Sequence, residues 1–235
     1  KNFRAFRDVS FASLPRLCVL VGANGTGKST VFQLFSFLRD AMTSNVTTAL
    51  SRLGGGRGFE DVRSRGSDGP IEIELKFRAN LGGADGRPKL VTYELGINEI
   101  DGQVVVETEI LKYRRGSHGQ PWHFLEFHNG EGTAVTNELD TDVDEQDLNR
   151  ESQTLKDPDL LAVKALSQFE KFPAALALGE LVENWHISDF HISNARATPQ
   201  VQHAEHLSRE GENLGTVVDY LYKRHREVFD RILVA

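Results

Sequence analysis

Sulfur is almost missing from this 235-residue chain, which holds one cysteine, Cys18, and one methionine. A lone cysteine excludes a disulfide framework within the chain. Its place in the apolar run Leu17-Cys18-Val19-Leu20-Val21 reads as a small buried hydrophobe in a reducing, cytoplasmic compartment. No stretch approaches the roughly 20 apolar residues of a membrane-crossing helix, and no signal-peptide pattern opens the sequence. A basic excess is also lacking. The formal net charge of −7 does not favour a nucleic-acid partner, so DNA binding is not supported by charge. No sustained heptad pattern argues for a long coiled coil. With 39% hydrophobic residues, the chain has enough apolar material for one good core or two small lobes.

Against this background one segment is rich in chemistry. Gly22-Ala23-Asn24-Gly25-Thr26-Gly27-Lys28-Ser29 is a complete Walker A sequence in its expected setting. The apolar run 17–21 before it reads as a buried parallel strand, and Val31, Phe32, Leu34, Phe35, Leu38, Ala41 and Met42 after it recur at helical spacing. Glycines 22, 25 and 27 let the backbone close around an anion, because a residue without a Cβ tolerates positive φ and leaves room for phosphate oxygens. The turn aims its N–H groups inward at a helix N-terminus, where unpaired donors and the helix dipole favour negative charge. Lys28 is then the residue for the β- and γ-phosphates, Ser29 the Mg²⁺ ligand and Thr30 a hydrogen-bond donor to the α-phosphate. A nucleoside triphosphate with Mg²⁺ follows as the expected ligand pair.

Asn24 makes the loop a GxNGxGKS variant, which resembles the ATPase heads of the ABC, SMC and RecF-like group. Small GTPases and most nucleoside kinases usually lack that asparagine, and no NKxD-type guanine reader is found, so ATP is expected. Residues 2–9, Asn-Phe-Arg-Ala-Phe-Arg-Asp-Val, look like the strand that opens SMC and RecF-type heads, and the resemblance gives Arg4 a place near the nucleotide. The order continues with Gly54-Gly55-Gly56, Phe59-Glu60-Asp61-Val62, Ile187–Ile192, Arg196 and Leu207–Leu214, similar throughout to bacterial predicted AAA-family ATPases of the OLD-like and RecF-like type. What the resemblance implies is an α/β P-loop NTPase fold of the ABC type. It would have a mixed sheet around the Walker A helix, an antiparallel β subdomain framing the adenine, and a helical segment. It also implies self-association through ATP-sandwiched heads, and a partner or appended effector, such as a nuclease used in phage defence.

An ABC-type site further needs a Walker B carboxylate pair, a signature loop and a switch histidine. Gln103-Val104-Val105-Val106-Glu107 has an apolar run but ends in Glu-Thr-Glu, and Leu207-Ser208-Arg209-Glu210-Gly211 reads as the loop starting a last helix, with Ser208 or Asn213 as a local cap. The sequence is therefore expected to be the N-terminal half of a larger ATPase, poorly active alone because the water-positioning carboxylate lies elsewhere. A non-hydrolysing nucleotide-gated scaffold and a DNA-repair or chromosome-maintenance head are the alternatives.

Along the chain, residues 1–53 are expected to hold the P-loop strand and a helix running to Leu53; 54–136 an antiparallel β subdomain; 137–156 an acidic loop; and 157–235 a helical region with a returning strand. Ile71–Phe77, Val91–Ile97, Val104–Tyr113 and Trp122–Phe127 show partial period-two alternation, with a turn such as Asp101-Gly102 between them. Asp157-Pro158 reads as a helix start, Pro173 as the start of a second helix, His186–Ile192 as the returning strand, and Leu214, Val217, Val218, Leu221, Phe229 and Ile232 as one buried face of a final helix. Arg52, Arg57, Arg63 and Arg65 form the densest basic patch, suited to phosphates of nucleotide or DNA. Asp140, Asp142, Asp144 and Glu151 imitate an EF-hand, but Glu145 stands where glycine is needed. The pairs His186/His191 and His203/His206 lack cysteine partners for a metal, and Gln200 and Gln202 are weak candidates to complete the Mg²⁺ shell.

Overall fold

Two tight turns set the sheet. Asp101-Gly102 (φ 52° and 77°) and Asn129-Gly130 (φ 51° and 83°) both place two successive residues at positive φ, the mirror-image turn whose twist matches that of flanking strands. In the computed structural model, which describes residues 1–82, 86–116, 119–140, 143–187, 204, 206–208 and 211–234, these turns join members of a six-stranded antiparallel meander. Its strands are β1 (Ile71–Ala79), β2 (Lys89–Ile100), β3 (Gln103–Tyr113), β4 (Trp122–His128), β5 (Glu131–Val135) and β6 (Arg150–Thr154), paired in sequence order. The register aligns one apolar face across neighbours: Leu75 with Tyr93, Tyr93 with Leu111, Leu111 with Leu125, and Leu125 with Ala134. Charged residues such as Glu74, Lys76, Glu94 and Lys112 alternate onto the other face, where Lys112 pairs with Glu94 at 2.6 Å.

Helices cover the apolar face. They are α1 (Lys28–Thr43), α2 (Val46–Gly54), the short α3 (Phe59–Val62), α4 (Ala162–Leu166) and α5 (Pro173–Glu183). Phe37, Leu38 and Ala41 of α1, Ala49 and Leu50 of α2, and Leu178 and Val182 of α5 share one core with Val91, Leu95, Leu111 and Phe127 of the sheet. Helix α1 is held at its middle and at its C-terminus. Phe35 meets the Trp185 ring edge-on at 4.8 Å, and Lys164 of α4 donates to the carbonyls of Thr43 and Ser44 at the helix's C-terminus.

Two buried glutamates seat the covering helices. Glu109 lies on the apolar face of β3 in register with Leu95 and Phe127, and is fully buried. Its carboxylate accepts the N–H groups of Ala162 (2.6 Å) and Val163 (3.1 Å) in the first turn of α4, and the Tyr93 hydroxyl at 2.9 Å. Glu138, also buried, accepts the Ala174 N–H at 3.2 Å in the first turn of α5. A helix's early N–H groups have no partner within the helix, so each carboxylate serves as a cap supplied from distant sequence. Burial pushes both groups up to about 7, against the lowering effect of the donors they accept.

Several sequence expectations are corrected here. The run 17–21 is no strand. Leu17, Val19 and Val21 are 81, 74 and 90% exposed, Cys18 is exposed rather than buried, and the described sheet is antiparallel throughout instead of mixed around α1. Residues 2–9 form a tight turn with isolated bridges Phe3–Phe6 and Phe3–Arg63 in place of an opening strand. The helix expected to run to Leu53 breaks after Thr43, where Ser44 leaves helical geometry and the Asn45 side chain accepts the Thr48 N–H at 2.8 Å to start α2. The acidic segment 137–156 is no mere loop, since it contributes buried Glu138 and the edge strand β6. The helix expected at Asp157-Pro158 starts only at Ala162, where Glu109 caps it.

Residues 186–235 form a second unit. Among its described residues are two helices, α6 (Leu214–Arg224) and α7 (Arg226–Val234), where the final segment was expected to form one. Of the anticipated face only Val217 is buried, while Val218 and Ile232 are exposed. Neither Ser208 nor Asn213 caps α6 through its side chain as expected; instead they close the preceding loop, the Ser208 N–H donating to Asn213 Oδ1 at 2.7 Å and the Asn213 N–H to Ser208 Oγ at 3.4 Å. His186 and Ile187 are in no strand, and the rest of the expected returning strand 186–192, His191 included, lies outside the described residues, as do Arg196, Gln200, Gln202 and His203.

Candidate functional site

The loop 22–29 takes the turn its glycines allow. Gly25 and Gly27 stand at φ 82° and 90°, and α1 begins at Lys28 directly behind them. Thr26 folds back on the turn, its hydroxyl donating to the Ala23 carbonyl at 2.9 Å. Lys28 Nζ donates to the carbonyls of Gly22 (2.8 Å) and Ala23 (2.6 Å), so the first two residues of the motif close on its lysine. The first turn of α1 contains no acidic residue and its N-cap offers no side-chain hydrogen bond, which leaves the helix's positive end unneutralised. Asn24 and Ser29 are exposed and Thr30 is buried, with the Thr30 N–H reaching the Gly27 carbonyl at 3.0 Å.

Gly27 has a second reason to be glycine. A Cβ there would lie 2.7 Å from Cε1 of Phe6, so the N-terminal turn is seated directly against the loop. That contact, which motif reading missed, seats the turn that carries Arg4 against the loop. Arg4 sits at φ 49°, its N–H bonds to the Val62 carbonyl at 2.7 Å, and its guanidinium donates to the Leu53 carbonyl, leaving Nε buried without a partner.

Arg4 lines an open groove of about 460 Å³ with Arg7, Thr30, Gln33, Arg63 and Arg65 among its walls. The basic patch seen in the sequence therefore divides. Arg63 and Arg65 enter this groove, whereas Arg52 pairs with Asp40 at 3.4 Å and Arg57 with Asp61 at 3.9 Å. Arg7, from the 2–9 segment, and Gln33, from a position that carried no motif, join them.

The remaining candidates separate from the loop. Val104–Val106 belong to the meander as part of β3, consistent with rejecting them as a Walker B strand. Among the described residues no group of three or more His, Cys, Asp or Glu side chains could hold a metal. Ser29, exposed at the start of α1, remains the protein ligand expected for a Mg²⁺ that also contacts phosphate. Among the described residues no helix is long and apolar enough to cross a membrane.

A family model described as "AAA domain, putative AbiEii toxin, Type IV TA system" matches residues 17–161, from the run before the loop through the whole sheet to the threshold of α4. No curated protein and no solved structure matches the chain.

Proposed function

The chain belongs to this AAA-domain family, whose model spans more than half of it, and from that premise we propose that it binds ATP and Mg²⁺ at residues 22–30 as the nucleotide-binding part of an ABC-type P-loop ATPase. The observation that carries the reading is the closed loop itself: two glycines at positive φ, a lysine tied across the turn, and a helix whose N-terminus has no competing acid. In this reading Lys28 exchanges its carbonyl acceptors for β- and γ-phosphate oxygens, the loop amides hold the phosphate chain, and Thr30 meets the α-phosphate. Ser29 would hold the Mg²⁺, which would supply charge that neutralises the phosphates. Arg4 joins this arrangement on the strength of the family resemblance, from the turn whose Phe6 rests on Gly27.

The OLD-, RecF- and SMC-like resemblance supports a further step: two ATP-loaded heads associate around the nucleotide and hydrolysis resets them, driving a partner or appended effector in phage defence.

Titration of a fluorescent ATP analogue with Mg²⁺ tests the first part. Lys28→Ala removes a charge-assisted contact of roughly 1.5–3 kcal/mol and is expected to weaken binding about 10- to 100-fold. Undiminished binding by that variant refutes the assignment. Solution mass with ATP and with ADP tests the second part, and no ATP-dependent increase counts against association.

A further inference from the structure

Four arginines converge in the groove beside α1, in a chain whose net charge is −7. They come from two segments some sixty residues apart that are laced together. The Ser64 hydroxyl donates to the carbonyls of Arg4 (2.7 Å) and Phe6 (2.9 Å), the Ser64 N–H bonds to the Asn2 carbonyl (3.1 Å), and the Arg7 guanidinium reaches the Arg65 carbonyl (3.2 Å). The groove is thus built by tertiary bonds between its two segments.

Those charges are mostly uncompensated. Arg63 is paired with Glu60 at 2.6 Å, and Asp61, also on the wall, is taken by Arg57. Among the described residues no carboxylate comes within ion-pair distance of Arg4, Arg7 or Arg65. Three guanidinium groups in one open trough suit phosphates, which they meet with paired donors. The other walls are Ala5, Thr30, Gln33 and Ser64, so a peptide would find no apolar anchor there, and a base no aromatic ring to stack on. A phosphodiester chain needs neither, because backbone contacts position a strand without reading it.

We propose that this groove binds the phosphodiester backbone of a nucleic-acid strand without sequence preference. Because its wall includes Thr30 and Gln33 of α1, and because Phe6 rests on Gly27, the strand and the phosphate loop share one support. Occupancy at one site then biases the other, reciprocally.

Anisotropy of labelled 20-nucleotide DNA, single-stranded and duplex, and of RNA of equal length, tests this on the full 235-residue chain. Three cations predict a slope of log affinity against log salt of about −2 for a single strand. The exposed pair Arg7→Glu/Arg65→Glu should weaken strand binding at least about 10-fold and flatten the slope to under about −1. That variant should keep its thermal unfolding and its ATP affinity, while Lys28→Ala should lose ATP and keep the strand. Binding to any of the three polynucleotides with this pattern supports the proposal, and their order of affinity identifies the preferred form. It is overturned if no salt-dependent binding occurs, or if the double reversal leaves binding unchanged. It is overturned equally if the reversal weakens ATP instead, or if poly-glutamate displaces the strand at equal charge.

Discussion

Replacing Glu109 by Gln puts the buried carboxylate on β3 to a test whose outcome depends on pH. Glu109 accepts three donors, two of them backbone N–H groups at the start of α4. An amide has a single acceptor oxygen, and its NH₂ must face one of those N–H groups. One buried donor then goes unsatisfied, at a cost of about 1–3 kcal/mol. For a chain of this size that lowers the melting temperature by roughly 2–4 °C per kcal/mol.

The native protein has its own pH dependence at this site. Burial raises the carboxyl from 4.5 to about 7. Between those values the folded protein holds a proton that the unfolded chain has released, so stability is greatest below 4.5 and is lost as pH rises through 7. The loss at this one site amounts to about 3 kcal/mol. Glu138 behaves similarly but is present in both proteins, and so drops out of the difference. Thermal unfolding followed by circular dichroism from pH 5 to pH 8 should therefore show the variant clearly less stable at pH 5, with the gap closing or reversing by pH 8. A gap that stays constant would mean the carboxyl does not titrate in this interval. A gap that widens would mean the three donors outweigh burial. Either result would refute the reasoning.

Two further substitutions probe particular contacts. Gly27→Ala combines a φ of 90° with a Cβ placed 2.7 Å from Phe6, and is expected to lower stability by about 1–3 kcal/mol and to weaken nucleotide binding. Adding Phe6→Ala should recover only the steric part, as measured by urea unfolding of the single and double variants. Gly132→Ala would put a Cβ 2.1 Å from the Glu126 carbonyl oxygen, against backbone that cannot yield, so β4 and β5 should separate. Hydrogen exchange at β5 amides such as Thr133 and Ala134 should accelerate sharply, and unchanged protection would contradict the register.

The parts of this fold legible in the sequence are those where local chemistry suffices. The glycines and lysine of the loop specify their own turn, and β1 to β4 announce themselves by alternation bounded by turns. Asn129-Gly130 has the chemistry of a tight turn, yet the hairpin it makes carries little pattern because β5 is only five residues long. Strand β6, Arg-Glu-Ser-Gln-Thr, is exposed on every residue and carries no apolar pattern; only its pairing with β5 makes it a strand. Glu109 looked like one more strand carboxylate, since its role as cap to α4 depends on a contact 53 residues away. The run 17–21 failed in the opposite sense. Five apolar residues indicate tolerance of burial, but burial has to be supplied by neighbours, and none of the described strands lies beside them. The arginine groove is a product of folding, assembled from Arg4 and Arg7 on one segment and Arg63 and Arg65 on another.

The bare ribbon leading into the phosphate loop has a practical consequence. Among the described residues, no backbone group between Asp8 and Val21 bonds to another, and Leu17, Val19 and Val21 face water. An apolar stretch with open amides on both edges is adhesive, drawing in whatever extended chain comes near. Here the adhesive surface ends at Gly22, the first residue of the loop. A charged residue introduced at Val19 is therefore expected to reduce self-association at high concentration, read by light scattering, from a position three residues before the loop.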